Sequence, residues 1–520
     1  MTTVWYTRRF TVPADWRTGR ILLHFGAVDY AATVYVNGVE AGRHRGGYAS
    51  FTLDITDSLT ADPAAENELT VRADDDVRSD RQARGKQCPH PTSRGCEYTR
   101  TTGIWQSVWL EAVPRAYLKR VKVDTDCRTG TVVFSAVSAG DDPAGLTFRV
   151  SVSDGERTVA SLAQPMASTV TAALTLPDVR LWCPEDPFLY PVTYELTAAD
   201  GTPVDRVESY VGVRSVETKN GRMYLNGRPL FQRLVLDQGF YPDGIYTAPD
   251  DAALVRDITF SQALGFNGAR LHQKIFEERF LYHADRLGYL VWEEHGNWGL
   301  SRTDPSVLLP FLGEWLEAME RDYNHPAIIG WCPFNEFNDG DRAIPCPDVL
   351  RLTYQATKAL DPQRPVIDVS GFFHVYPTDL YDTHDYEQDV AAFREKYAAM
   401  AAGGAVVDPH WYGQRYQGGP LFVSEYGGAR YSVRPEGYAW GYGDAPADEA
   451  AFADRYVGLT ETLLQNERIC AFCYTQLYDV EQEQNGLYTY ARRPKFSPET
   501  YARIRACNTQ PAAVETGAEP

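Results

Sequence analysis

Residues 230–272 read LFQRLVLDQGFYPDGIYTAPDDAALVRDITFSQALGFNGARLH. The run Leu230–Leu236 is apolar and has the length of a buried strand. A helical segment, Asp250–Leu264, opens after Thr247 with Pro249 near its first turn. Asn267–Leu271 is again strand-like. A strand, a helix and a second strand in this spacing predict a βα unit feeding a parallel sheet. The pattern recurs down the chain, with strand-like runs at Leu290–Glu293, Ile328–Pro333, Val366–Val369, Leu380–His384, Leu421–Ser424 and Ile469–Thr475. Helical segments lie between them. In one that starts near Asp448, Phe452, Tyr456, Leu459 and Leu463 fall on a single apolar face. Eight such units in about 290 residues predict a TIM (β/α)8 barrel over residues 219–507. Residues 508–520 are small and polar and are expected to fray.

Upstream of this stretch the period changes to short strands. Over residues 115–218 the runs Leu118–Val123, Thr131–Ser138, Thr147–Val152, Val170–Leu176 and Val192–Leu196 suit an immunoglobulin-like β-sandwich. Over residues 1–114, Trp5–Val12, Ile21–Phe25 and Ala32–Val36 alternate, and Asn37-Gly38 marks a tight hairpin. These features predict a jelly-roll-like β-sandwich. A long polar stretch, Asp74–Thr102, interrupts it and carries Arg78, Arg81, Arg84, Lys86, Arg94 and Arg100. Loops of this length are usually functional.

Composition narrows the function. The formal net charge of −20 repels phosphate backbones and disfavours a nucleic-acid partner. Acidic substrates are also disfavoured unless a local basic pocket overrides the field. No apolar run is long enough for a membrane span, and Met1–Phe10 lacks the apolar core of a signal peptide. The nine cysteines follow no disulfide framework, which reads as reduced thiols in a cytoplasm. Cys470 and Cys473 form a lone CxxC without a second pair, so no metal and no cofactor are expected. Homo-oligomerisation is left open by the sequence.

In a barrel of this kind the chemistry sits at the C-terminal strand ends. The strand Ile328–Pro333 leads into Asn335 and Glu336, and LFVS leads into Glu425. An ionised carboxylate at the end of a buried strand needs a partner or a task. Two such groups can act as proton donor and nucleophile on one glycosidic bond. The plain alternative is that each merely pairs with an arginine at the barrel mouth. Arg270 and His272, and likewise His384, Asp385 and Tyr386, close other strands.

GWCPFNEFND and PLFVSEYGG resemble the acid/base and nucleophile motifs of glycoside hydrolase family 2, the family of bacterial β-galactosidases, β-glucuronidases and β-mannosidases. TTGIWQSVWLEAVP, residues 101–114, resembles the end of that family's sugar-binding sandwich. LWCPEDPFLYPVTYEL resembles part of its immunoglobulin-like domain, and the domain order is similar. The resemblance implies a retaining, exo-acting β-glycosidase with a carbohydrate substrate, Glu336 as acid/base and Glu425 as nucleophile. For the acid role the Glu336 pKa is expected to be raised. By the same resemblance Asn335 would bond the 2-hydroxyl and Tyr386 would donate to the nucleophile. Arg270 could hold that nucleophile ionised. His272 and His384 could bind sugar hydroxyls. Tyr474 would replace the family's tryptophan platform, with Gln476 beside it.

The sequence also departs from the family. Where β-galactosidases carry an Asn-Arg-His run after the first barrel strand, this chain has Asp237 and Gln238, and Asp237 could accept hydroxyl bonds or make only local ones. The stretch EQEQNGLYTY lacks the lysine of the Asn-x-Lys pair that binds the uronate carboxylate in β-glucuronidases. Arg84 or Lys86 could supply that charge from the long loop, or remain solvated. Family members also carry residues before the counterpart of VWYTRRF, so either the first sandwich is trimmed or the start was chosen downstream. A β-galactosidase-like activity leads. A β-uronide or pentoside hydrolase, or a non-catalytic carbohydrate-binding relative, are the alternatives.

Overall fold

The computed structural model describes residues 2–337, 346–371, 373–404, 416–432 and 439–516. The chain divides into two compact units. The first comprises Met1–Asp76, Thr102–Ser215 and Glu317–Pro326, and the second Val77–Thr101, Val216–Leu316 and Ala327–Pro520.

The first unit is built from antiparallel sheets. Thr3–Phe10, Asn67–Asp74, Ala31–Val36 and Val39–Arg45 form a four-stranded sheet in that order. Phe51–Asp54, Arg20–Phe25 and Val108–Val113 form a three-stranded one. Alternate residues of Ala31–Val36 are buried, and Ile21, Leu23, Phe25, Val34 and Val71 fill the core between the sheets. Asn37 and Gly38 both have positive φ, as the tight hairpin joining Val36 to Val39 requires. A second sandwich follows. It sets Ala116–Asp126, Thr131–Gly140 and Thr169–Thr175 against a sheet ordered Arg157–Pro165, Thr147–Asp154, Tyr190–Thr197 and Pro203–Val211. Phe134, Phe148, Val150, Tyr194 and Leu196 are buried between them.

The second unit is a curled parallel sheet of seven strands rather than the eight expected. Its spatial order is Ile328–Cys332, Leu290–Glu294, Gly268–Leu271, Gln232–Asp237, Ile469–Tyr474, Leu421–Tyr426 and Tyr381–Asp385. Nearly every residue in these strands is buried, which is why they read as continuous apolar runs. The expected strand Val366–Val369 is reduced to isolated bridges, Trp331 with Val366 and Asn335 with Ser370. Its other side is taken by side chains: Val366 N–H donates to Asp379 Oδ2 at 2.9 Å and Asp368 N–H to Thr378 Oγ1 at 3.3 Å. No ladder to Tyr381–Asp385 is left for it to make.

The helix expected from Asp250 begins at Asp251, capped by the Asp250 carboxylate on Ala253 N–H at 2.8 Å, so Pro249 lies outside it. Glu449–Leu464 buries Phe452, Tyr456, Leu459 and Leu463 as the spacing required. The tail departs from expectation. Pro498–Asn508 is helical, Ala512 and Val514 are buried, and Glu515 Oε2 accepts from Arg233 at 2.7 Å. Burial opposes the Glu515 charge, but Arg233 outweighs it and lowers the pKa. The stabilisation is therefore present above the ordinary Glu value of about 4.3 and is lost as pH falls through the lowered folded-state value. Glu515→Gln should lower the thermal midpoint at pH 7, and the gap to wild type should close as the medium is acidified. Because the strands are parallel, Asp237, Arg270, Glu294, Asn335, His384, Glu425 and Thr475 gather at one end of the sheet.

Candidate active site

Arg270, fully buried at the end of Gly268–Leu271, organises this end of the sheet. Its Nη1 donates to Glu294 Oε2 at 2.8 Å, Asn335 Oδ1 at 3.0 Å and Ser370 Oγ at 2.6 Å. Its Nη2 donates to Glu425 Oε1, and the other oxygen of Glu425 accepts from the Tyr386 hydroxyl. Tyr386 is itself stacked on Tyr442 and lies 3.2 Å from Thr475 Oγ1. Both oxygens of the Glu425 carboxylate are thus held by donors.

Glu336 follows the strand Ile328–Cys332, two places from Gly268–Leu271 in the sheet, in a left-handed conformation, φ 47°. Its N–H is fixed on Ser370 O at 2.8 Å. Its carboxylate meets His384 Nδ1 at 2.8 Å. On the other side of the ring, His384 Nε2 is 3.1 Å from Ser370 Oγ and 3.4 Å from Glu425 Oε1. Gly371, with φ 112°, packs against this pair: a Cβ there would lie 3.0 Å from His384 Cε1 and 3.3 Å from Glu336 Cγ. The raised pKa expected for Glu336 is not found. Burial pushes it up, but His384 and the charges of Lys86 and Arg270 outweigh burial and bring it down to about 2.

Glu336, His384 and Glu425 bring three potential ligand atoms within 4.8 Å of one another. These atoms are engaged with one another and with Arg270, so the guanidinium already serves as the cluster's cation. Asn335 Nδ2 is buried and has no partner among the described residues, while its Oδ1 is held by Arg270. That leaves an oriented amide donor beside both carboxylates.

Other candidates are placed differently. His272 Nδ1 contacts Glu294 Oε1 at 2.9 Å, and burial, then Lys86 and Arg270, lower its pKa well below the ordinary imidazole value. Asp237 makes local bonds to Gly239 N–H at 2.9 Å and to the Tyr478 hydroxyl. Burial, then Asp257, raise its pKa to about 6. Tyr474 is not a platform at the mouth. Its ring packs against Tyr426 and Tyr456, the latter from the helix Glu449–Leu464, and under Gly427. Gln476 donates to Asn485 Oδ1 at 2.7 Å, and its buried Oε1 has no partner among the described residues.

The long loop belongs to the same compact unit as the barrel. Arg84 N–H donates to Trp298 O at 2.8 Å, Gly85 N–H to Gly296 O at 2.9 Å and the Tyr98 hydroxyl to Glu483 Oε2 at 2.5 Å. The Arg84 guanidinium is spent on Glu97, at 2.7 Å, and on Gln87 O within the loop. Lys86 is 6% exposed, with Nζ 3.8 Å from the centre of the Trp298 ring. Among the described residues no acceptor takes its protons. Burial opposes its charge, but Cys96, Glu483, Glu336 and Glu425 outweigh burial and raise its pKa. Of the two loop cations, Lys86 is thus the one in the field of the carboxylate pair. Sequence reasoning missed Glu294 and Ser370, although both end strand-like runs it had marked. Trp298 and Glu483 lie on loops and carried no such signal.

Three family models match in chain order. Residues 1–106 match the glycosyl hydrolase 2 galactose-binding domain-like model, 116–214 the glycosyl hydrolases family 2 model and 216–433 its TIM barrel domain. A β-glucuronidase of Paenibacillus borealis is 26% identical over 461 residues, covering 82% of this chain and 74% of the relative. A β-galactosidase of Aeromonas hydrophila is 28% identical over 399 residues, 72% of this chain and 36% of the relative. The structure of Bifidobacterium dentium β-glucuronidase complexed with coumarin-3-O-glucuronide superposes with a TM-score of 0.78 at 22% identity. It covers 98% of this chain and 88% of that one. No described helix is long and apolar enough to cross a membrane.

Proposed function

The chain belongs to glycoside hydrolase family 2 and is a glycoside hydrolase, and from that premise we propose that it releases a terminal β-linked sugar with retention. In this reading Glu425 attacks the anomeric carbon while Glu336 protonates the leaving oxygen. Water, deprotonated by Glu336, then hydrolyses the glycosyl ester. The observation that carries the reading is the spacing of the pair. Oxygens of Glu336 and Glu425 lie within 4.8 Å of each other, which suits carboxyls about 5–5.5 Å apart and leaves no room for the water an inverting pair needs. Arg270 and Tyr386 hold the two oxygens of Glu425 in place for attack, and Asn335 Nδ2 donates to the 2-hydroxyl, a bond that strengthens in the transition state.

For the sugar we propose a neutral β-galactoside-like ring. In support, the stretch that carries lysine in glucuronidases reads Glu483-Gln484-Asn485 here. The Glu483 carboxylate, held by Tyr98 and by Asn485 at 3.0 Å, offsets the charge of Lys86. One observation favours a β-uronide instead: the Lys86 ammonium has no hydrogen-bond acceptor among the described residues. A screen of nitrophenyl galactoside, glucuronide, galacturonide, mannoside and arabinoside with wild type and Lys86→Met separates the two. A neutral-sugar enzyme keeps its substrate ranking in the variant. A uronidase loses about tenfold or more in kcat/KM on the acidic glycoside alone, the scale of one charge-assisted bond. In either case Arg84→Met should act on stability, since that side chain ties the loop to itself.

A further inference from the structure

The contacts around the acid/base raise a question of proton ownership. His384 Nε2 faces two acceptors, Glu425 Oε1 and Ser370 Oγ. The Ser370 hydroxyl has its own proton on Asp382 Oδ2 at 2.8 Å, so Nε2 must carry a hydrogen. The 2.8 Å contact between Nδ1 and Glu336 then needs one further proton between them. Whichever atom holds it, the pair owns that proton jointly.

We propose that His384 is a positioning residue that stores the catalytic proton for Glu336 and releases it in step with attack by Glu425. The proposal rests on Glu336 being the acid/base. Before reaction the imidazolium lies between two carboxylates. As Glu425 forms its bond to the anomeric carbon, its negative charge is lost, and the imidazolium loses one of the two charges that stabilise it. The proton moves from Nδ1 to Glu336 and on to the leaving oxygen as the C1–O bond breaks. His384 is left neutral with hydrogen on Nε2, and Glu336 as a carboxylate. In the second half a water proton returns to the pair as water attacks C1 and the bond to Glu425 breaks. The balance is one proton out and one back, with no other reactant. Among the described residues the charged and titratable groups facing the ring include Glu336, Glu425, Arg270, Asp382 and His272, with Glu294 and Lys86 one partner further out. Burial and Arg270 oppose a charge on His384, but the Glu425 and Glu336 carboxylates outweigh them and raise its pKa. This accounts for an acid whose own carboxyl is held down to about 2.

The first test is His384→Gln, which keeps hydrogen bonding but cannot hold the proton. The basic limb of kcat/KM for a poor leaving group should move down by about one pH unit or more, because a carboxyl alone now carries the acid. At neutral pH poor leaving groups should suffer and recover on acidification. A uniform loss with an unmoved limb overturns the proposal. The second test needs only wild type. Trapping Glu425 with a dinitrophenyl 2-fluoro glycoside expels an anion that takes no proton. In weak buffer near pH 8 a dye should report up to one proton released per site. No release between pH 6 and 9 overturns the proposal. If Glu336→Ala lacks leaving-group dependence, the acid/base reading itself has failed, and that result is distinct from an unmoved basic limb.

Discussion

Glu425→Gln is expected to lower turnover by about three orders of magnitude or more, because the amide keeps the shape but removes the attacking charge. The fold should survive, since Gln has nearly the same shape and its carbonyl oxygen can still accept from Arg270, although the amide nitrogen no longer accepts from Tyr386. What changes is the electrostatics. Arg270 sits fully buried between Glu294 and Glu425, and the substitution leaves one carboxylate where there were two. A modest loss of thermal stability should accompany the loss of activity, as for any buried pair deprived of one partner. In wild type, a fluorinated glycoside should esterify Glu425, and peptide mapping by mass spectrometry reads the site directly. Labelling at another residue, with activity retained in Glu425→Gln, would remove Glu425 from the nucleophile's place.

The barrel was legible because strands buried on both faces appear as unbroken apolar runs. The same signal misled at Val366–Val369. An apolar run reports burial, and this segment is buried without a second ladder, its far side being closed by Asp379 and Thr378. Parity decides the Tyr474 correction. Cys473 feels the charges of Arg270 and Glu425, so the next side chain in a pleated strand must face the helices. Alternation along Ile469–Tyr474 carried that information, whereas likeness to a family tryptophan did not.

Arg270 meets Glu425 as its strand-end position allowed, and Tyr386 meets it as the family resemblance implied. The charge state of Glu336 was out of reach, because its partner His384 lies 48 positions away on another strand. The basic loop was readable as one that could bring Arg84 or Lys86 to the sugar site, but which of the two would lie in the field of the carboxylates was not. Part of its attachment runs through backbone groups at Arg84 and Gly85, which leave no side-chain signature, and part through Tyr98 on Glu483. The frayed tail was misjudged for a related reason. Small residues such as Ala512 and Val514 reveal burial only when the surface they cover is known.

Glu336→Ala should separate substrates by their leaving groups. Dinitrophenolate departs without a proton, so the first step on that aglycone should keep most of its rate, whereas alkyl or sugar leaving groups should lose about two to four orders of magnitude. The second step suffers for every substrate, since no base remains to activate water. Glycosyl-enzyme should therefore accumulate on good substrates, with a burst of aglycone and a lowered apparent KM. Azide needs no deprotonation and fits the space vacated beside Glu425. It should restore turnover and yield a glycosyl azide of retained configuration. The mutation also removes the carboxylate 2.8 Å from His384 Nδ1, while Nε2 keeps Glu425 at 3.4 Å. The imidazolium is then less favoured, and the residual activity should lose the basic limb set by the pair. Equal losses across all leaving groups, with no response to azide, would show that protonation of the departing oxygen comes from elsewhere.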